Sequence, residues 1–463
     1  MLMTMIAPLN SDPSSSQTED ADEAHLGAVP IESLLQEFGD SLSQFGNLAP
    51  DGSEGKWTGV LVLECAKAIS SKSDGRVQHL LWILNELASP YGDCEQRLAF
   101  YFLQALFCKM SGSGLASQKA LCLAMERSSS FDSMRKTILK FQEVSPWTTF
   151  GHVACNGAIL EAFDGESKVH ILDMSNTFCT QWPTLLEALA TRPDGAPSLR
   201  LSTIILSHDT SSMKVMKEVG ARLERFARLM GVPFEFKVHH EMNMDKLHDH
   251  EKLSSLLDLQ SGEALAINCN LALHQVSTKV ETLSSNVNTN IEPIEDGRDR
   301  MLQNFQRMNP KILTLIEEEA DMVPQDFLHN ISESLRFYSL YFETLQVSFP
   351  KISEERLILE RIVGRNVLNL LACTPSYDVG HEESQGSVSA ISCEKRETSV
   401  QWGERLTKSG FKVSPFSEDV MDDVRALIKR YKEGWSLDSN QERTCVHLNW
   451  KDQKTVFSST WKC

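Results

Sequence analysis

Beyond Lys168 the apolar residues change their spacing, and this change constrains the fold more than any other feature of the 463-residue chain. Short apolar runs at Val169–Leu172, Leu201–Leu206, Phe234–Val238, Ala264–Cys269 and Ile312–Ile316 read as buried strands. Between them lie segments with apolar residues three and four apart, at Trp182–Thr191, Ser212–Met230, Lys252–Leu259 and Arg300–Met308, which read as amphipathic helices. Strict alternation of this kind calls for right-handed crossovers and an α/β, doubly wound, mostly parallel sheet. An aromatic-rich segment, Pro324–Phe349, continues as a long helix, and Cys445–Trp450 and Thr455–Trp461 flank a polar turn as an antiparallel hairpin.

Before Lys168 no such alternation occurs. Residues 56–163 carry helical stripes, with Leu80, Leu84 and Leu87 on one and Cys94, Leu98, Tyr101, Phe102, Ala105 and Leu106 on another. Gly and Pro clusters separate them, so an all-helical cap over 56–163 precedes an α/β core over 164–463. These leucines do not sustain a heptad, which makes them core before zipper. Residues 1–55 hold ten Asp or Glu and no Lys or Arg, so most of the formal charge of −18 sits in a polar tail expected to be disordered. Inside it, Ile31–Phe45 sets Ile31, Leu34, Leu35, Phe38, Leu42 and Phe45 on one helical face, fit either to dock a partner or to pack on its own domain.

The acidic balance argues against binding of phosphate backbones by the whole surface, since such binding rests on Lys and Arg. Neither a basic-region helix nor C₂H₂ zinc-finger spacing occurs, and no apolar run reaches the roughly 18–20 residues of a membrane span. The start of the chain lacks a basic n-region, and eleven scattered cysteines without a C-x-x-C pair read as thiols of a reducing compartment. His239, His240, His248 and His250 fall at irregular spacing and read as a solvated loop, not a metal site. Leu253, Leu256 and Leu257 fit L-x-x-L-L, a helical docking pattern also met in ordinary cores.

A parallel sheet ending in a hairpin is similar to that of adenosylmethionine-dependent methyltransferases, whose cofactor lies over a glycine-rich turn after the first strand. Here the strand ends at Asp173 and runs on as Met174-Ser175-Asn176-Thr177-Phe178-Cys179, with no glycine until Gly195. A cofactor is therefore not expected, although a small-molecule or methyltransferase-like use of the crevice near Asp173 is the alternative to a binding scaffold. The simplest role for Asp173 is to cap the turn that follows.

Val169-His170-Ile171-Leu172-Asp173 resembles the signature strand of the GRAS family of plant transcription regulators, and the other family blocks follow in order. Leucine-rich regions lie on both sides of the signature, the aromatic block at Pro310–Phe342 precedes Arg361-Ile362-Val363-Gly364-Arg365, and a terminal block carries Trp402, Arg405, Gly410, Trp450 and Trp461. Segments 85–93, 175–193 and 417–436 look most like the SHORT-ROOT branch, from which a polar insertion at 375–396 departs. The resemblance implies a helical cap on a methyltransferase-like core used as a scaffold, with no enzymatic activity. It implies pairing with a SCARECROW-type GRAS protein and with INDETERMINATE-type C₂H₂ zinc-finger factors, through which DNA is reached indirectly. It implies a place in the nucleus and also the cytoplasm, and a role in root radial patterning and asymmetric division. By the same analogy Leu80, Leu84, Leu87 and Leu98 would help form the partner face, with Leu253, Leu256 and Leu257 as a further candidate, and the terminal-block residues would be structural anchors.

Overall fold

A computed structural model of the chain describes residues 57–128, 130–175, 177–206, 210–241, 250–276, 296–323, 326–373 and 395–463. The acidic tail with its 31–45 segment, most of the 375–396 insertion and His248 lie outside the described residues. Six helices come first: α1 (Trp57–Ser70), α2 (Asp74–Leu87), α3 (Cys94–Met110), α4 (Gly114–Ser128), α5 (Phe131–Val144) and α6 (Thr149–Ala162). The α/β part then runs β1 (Lys168–Ser175), α7 (Trp182–Ala190), β2 (Ser198–Leu206), α8 (Thr210–Met230), β3 (Phe234–Glu241), α9 (His250–Leu257), β4 (Ala264–Asn270), α10 (Gly297–Arg307) and β5 (Ile312–Glu318). Two long helices follow, α11 (Phe327–Ser348) and α12 (Glu354–Ala372). The chain closes with α13 (Ser399–Lys408), β6 (Lys412–Ser414), α14 (Glu418–Ile428), β7 (Trp435–Ser439), β8 (Cys445–Trp450) and β9 (Gln453–Lys462).

The strand order is β3-β2-β1-β4-β5-β9-β8-β7, with β6 paired to β9. The first five strands are parallel, as the alternating pattern requires, and every residue of β4 and β5 is buried because helices cover both faces. The expected hairpin is present as β8–β9, and it is β9 that lies against β5, antiparallel, with Leu313 opposite Trp461 and Glu318 opposite Val456. The sheet extends further than the apolar pattern indicates. In β7 no residue is fully buried, and β6 is three residues long, so neither shows an alternating apolar face.

The cap is not residues 56–163 alone. Helix α12 lies along α3, and Gly364 makes the contact possible: a Cβ there would stand 2.2 Å from the Tyr101 ring. Helix α11 packs on α1 and α3, so two helices from the second half of the chain complete the helical layer. Conversely α6 belongs to the sheet, where Gly151 sits against Ile316 of β5 and Gly157 against Val420 of α14. A buried carboxylate ties α12 to α3. Glu360 accepts from Arg97 Nη1 at 2.7 Å and from Arg356 Nε at 2.6 Å, and all three side chains are fully buried. Arg97 spends its remaining donors on the Gly92 and Lys351 carbonyls.

Removing one member of such a cluster strands the others without a counter-charge. Glu360→Ala is expected to destabilise the fold by about 3–5 kcal/mol, read as a lower midpoint of chemical unfolding.

Candidate functional site

In a doubly wound sheet ligands bind beyond the carboxyl ends of the strands where the strand order reverses. Here the reversal falls between β1 and β4, and Asp173 of β1 stands in register with Asn268 of β4 at that point. Both are buried, and the space around them is filled by the protein's own side chains. Asp173 Oδ1 accepts from Asn268 Nδ2 at 3.0 Å, and Oδ2 accepts from the Trp182 indole at 2.8 Å and from Ser175 Oγ at 3.1 Å. Asn268 Oδ1 in turn accepts from Thr314 of β5 at 2.8 Å. Gln181 donates to Asn156 of α6 at 3.0 Å, and Asn156 donates back to the Gln181 carbonyl at the same distance.

The turn after β1 holds two consecutive non-glycine residues in the left-handed region, Phe178 at φ 52° and Cys179 at φ 59°. Such a conformation costs roughly 1 kcal/mol or more per residue. It brings Trp182 to the start of α7 with its indole nitrogen on Asp173. In a methyltransferase this is where a glycine turn lets backbone approach the cofactor. The residues present do not fit adenosylmethionine, because side chains take the place of the glycine turn and the buried Asp173 carboxylate is bonded to the Trp182 indole and the Asn268 amide. Asp173 is thus more than the turn cap expected: it joins β1, β4 and α7. Sequence spacing did not reveal its partners, since Asn268 lies 95 residues away.

Around it, the signature strand is structural. Val169, Ile171 and Leu172 are buried, and His170 sits between strands with Nε2 2.9 Å from Ser202 Oγ and Nδ1 3.6 Å from Glu263. Burial, with Arg200 nearby, pushes the His170 imidazole down to about 3 and keeps it neutral. His239 and His240 belong to β3 and His250 opens α9, so the loop expected for them is not what forms. Among the described residues no group of three His, Cys, Asp or Glu is placed to hold a metal ion.

The leucines expected at a partner face lie inside. Leu80, Leu84, Leu87, Leu98, Leu253 and Leu257 are buried, and Leu256 packs half-buried against the same core as Leu253 and Leu257. Their helical spacing reports burial, and the cap's exposed apolar residues are others, among them Trp82, Phe107, Met110, Leu115 and Leu123.

The terminal-block residues lie in an ion-pair cluster, a helix-ending turn and the core. Arg405 binds Glu397 at 2.6 Å, Asp299 at 2.6 Å and Asp296 at 2.8 Å, fastening α13 to the head of α10. Trp402 is buried with the Arg298 guanidinium 5.8 Å from its ring. Gly410, at φ 95°, ends α13 in a Schellman turn in which Phe411 N–H reaches the Leu406 carbonyl and Gly410 N–H the Thr407 carbonyl, both at 3.0 Å. The Trp450 ring meets that of Trp435 at a tilt, 4.9 Å between centroids, and the Trp461 indole donates to Ser459 at 3.0 Å. Beside Trp461 an open groove of about 590 Å³ runs between α13 and β6, lined by Ser399, Val400, Gly403, Lys408 and Val413. Val400 is 67% exposed and Val413 44%.

Burial pushes the Asp173 carboxyl up to about 6, whereas an unfolded Asp titrates near about 4. The folded state therefore holds this proton more tightly. Its contribution to stability is complete below about pH 4 and is lost as pH rises through about 6. Asp173→Asn cannot ionise, so the wild-type unfolding midpoint should fall relative to the variant's as pH is raised across that window. Trp461→Ala, which empties a core site, is expected to cost about 3–5 kcal/mol, read as a lower melting temperature.

Comparison with known proteins agrees with this architecture. Residues 59–462 match the GRAS domain family. Protein SHORT-ROOT of Arabidopsis thaliana is 46% identical over 423 residues, covering 88% of this chain and 73% of that protein. Protein SHORT-ROOT 2 of Oryza sativa subsp. japonica is 42% identical over 457 residues, covering 89% of this chain and 70% of its own length. The crystal structure of SCL7 in Oryza sativa superposes with a TM-score of 0.69 at 25% identity, over 88% of this chain and 99% of that one. The family match over residues 59–462 and the identity to SHORT-ROOT proteins show that the chain belongs to the GRAS family as a SHORT-ROOT-like member.

Proposed function

We propose that this plant developmental transcription regulator is an adaptor that binds proteins and performs no chemistry of its own. The observation that carries this reading is the switch point, where Asp173, Trp182, Gln181 and Asn268 bond to one another in the place a ligand would take. Exposed apolar residues of the cap and of the α13 groove support it. The helical cap presents Trp82, Leu115 and Leu123, each about half exposed, and suits the broad face of a second GRAS domain of the SCARECROW type. The open groove beside α13, with Val400 and Val413 exposed, suits a zinc-finger segment of an INDETERMINATE-type factor. With a net charge of −18 the chain leaves DNA contact to that factor, and it works in the nucleus while also residing in the cytoplasm.

The test is light scattering on the full chain mixed with a SCARECROW-type GRAS domain and an INDETERMINATE-type zinc-finger fragment. The expected result is a ternary complex of summed mass; a chain that stays alone with both overturns the reading. Val400→Asp, placing a charge in the groove, should weaken zinc-finger binding at least about tenfold and leave GRAS pairing unchanged.

A further inference from the structure

Strand β3 ends the sheet, and among the described residues it pairs only with β2. The Leu199 N–H donates to the Pro233 carbonyl at 2.8 Å. In a parallel ladder alternate residues turn both backbone groups toward the same neighbour. Pro233, Glu235, Lys237 and His239 therefore face β2, and Phe234, Phe236 and Val238 hold their N–H and C=O toward the open side. The register with β2 is unbroken from Phe234 to Glu241, with no bulge to blunt the edge. Long regular edges are templates for another strand.

The side chains say which strand fits. Phe236 packs under α8 at Gly220, where a Cβ would stand 2.2 Å from its ring. Glu235 and Lys237 project from the opposite face, Glu235 exposed and Lys237 partly so, with their charged groups 3.4 Å apart. We propose that the β3 edge pairs antiparallel with the β3 edge of a second copy of this chain, about a two-fold axis through Phe236. That register sets Phe236 opposite the partner's Phe236 and Phe234 opposite the partner's Val238, each pair exchanging backbone hydrogen bonds. It sets Glu235 opposite the partner's Lys237 twice, once on each side of the axis, and opposite charges directly across a ladder are favourable. A register centred on Glu235 or on Lys237 sets like charges face to face instead. One centred on Val238 opposes Glu235 to the partner's Glu241.

Helix α8 repeats the complementarity. Glu224 and Arg228 line a cleft with Phe234, so this side of α8 overhangs the edge, and the exposed Lys217 lies two turns earlier on the same side. The axis through Phe236 passes at the level of Gly220, and it keeps both copies of α8 on one face of the joined sheet, running antiparallel. Lys217 then comes opposite the partner's Glu224 on both sides, with the small residues Gly220 and Ala221 at the crossing. This surface is distinct from the α13 groove and does not depend on the adaptor reading.

The experiment is the mass of the full chain by sedimentation and light scattering, from micromolar to hundreds of micromolar. Wild type should pass from monomer to dimer. Glu235→Lys and Lys237→Glu each bring like charges together and should weaken the dimer by about tenfold or more. The double variant, with the two charges exchanged, should restore it. Val238→Pro removes an N–H that β2 does not use, and should leave circular dichroism unchanged while abolishing the dimer. A wild type that stays monomeric throughout, leaving the edge to a strand of some other protein, overturns the proposal. So does a dimer that survives Val238→Pro, or a charge exchange that fails to rescue.

Discussion

The antiparallel seam between β5 and β9 is the constraint on which the rest of the molecule rests. The last strand of the described chain is inserted beside the fifth, so the parallel half and the hairpin half become one sheet only when residues more than a hundred apart in sequence meet. Helix α6 lies across this seam and touches both strands, and α11 packs onto β9 from the cap. Cap, parallel sheet and terminal block thus converge on one pair of strands, and no part of the fold can be assigned its stability without it.

Buried charge marks the joints around that seam. Glu318, at the end of β5, accepts from the Trp147 indole at 3.0 Å and from Arg396. Glu317 beside it accepts from His274 at 2.7 Å and from the backbone N–H of Leu273 at 2.8 Å. Arg97, Glu360 and Arg356 join α3 to α12, and Arg405 joins α13 to α10 through three carboxylates. Ions taken out of water recover their hydration only in one arrangement of partners. Their value lies in fixing which helix meets which strand, because a slipped packing would leave them unpaired.

Much of this was legible in the residues. The change of period after Lys168 located five parallel strands, each starting or ending within a few residues of its place, because strands covered by helices carry runs of mostly apolar residues. The hairpin and the anchoring tryptophans were legible for the same reason. What escaped was set by partners distant in sequence. Strands β6 and β7 exist because β9 and β8 offer them hydrogen bonds, not because their side chains alternate. The cap's dependence on α12 hides in one glycine, Gly364, whose role appears only against Tyr101. The leucines Leu80, Leu84 and Leu253 show the opposite limit: a helical stripe says that a face is covered, without saying by what.

The position of β9 also governs how the protein is made. A ribosome delivers β1 to β5 long before Gln453–Lys462, so during synthesis the nascent chain carries β5 as an open edge whose backbone groups on that side have no strand to pair with. An edge of that kind is open to wrong pairing while it waits. Interruption of translation before Gln453 would release a product that has its cap and parallel strands yet lacks the strand that seals them. Such products, with an unsealed edge, are substrates for chaperones and proteases.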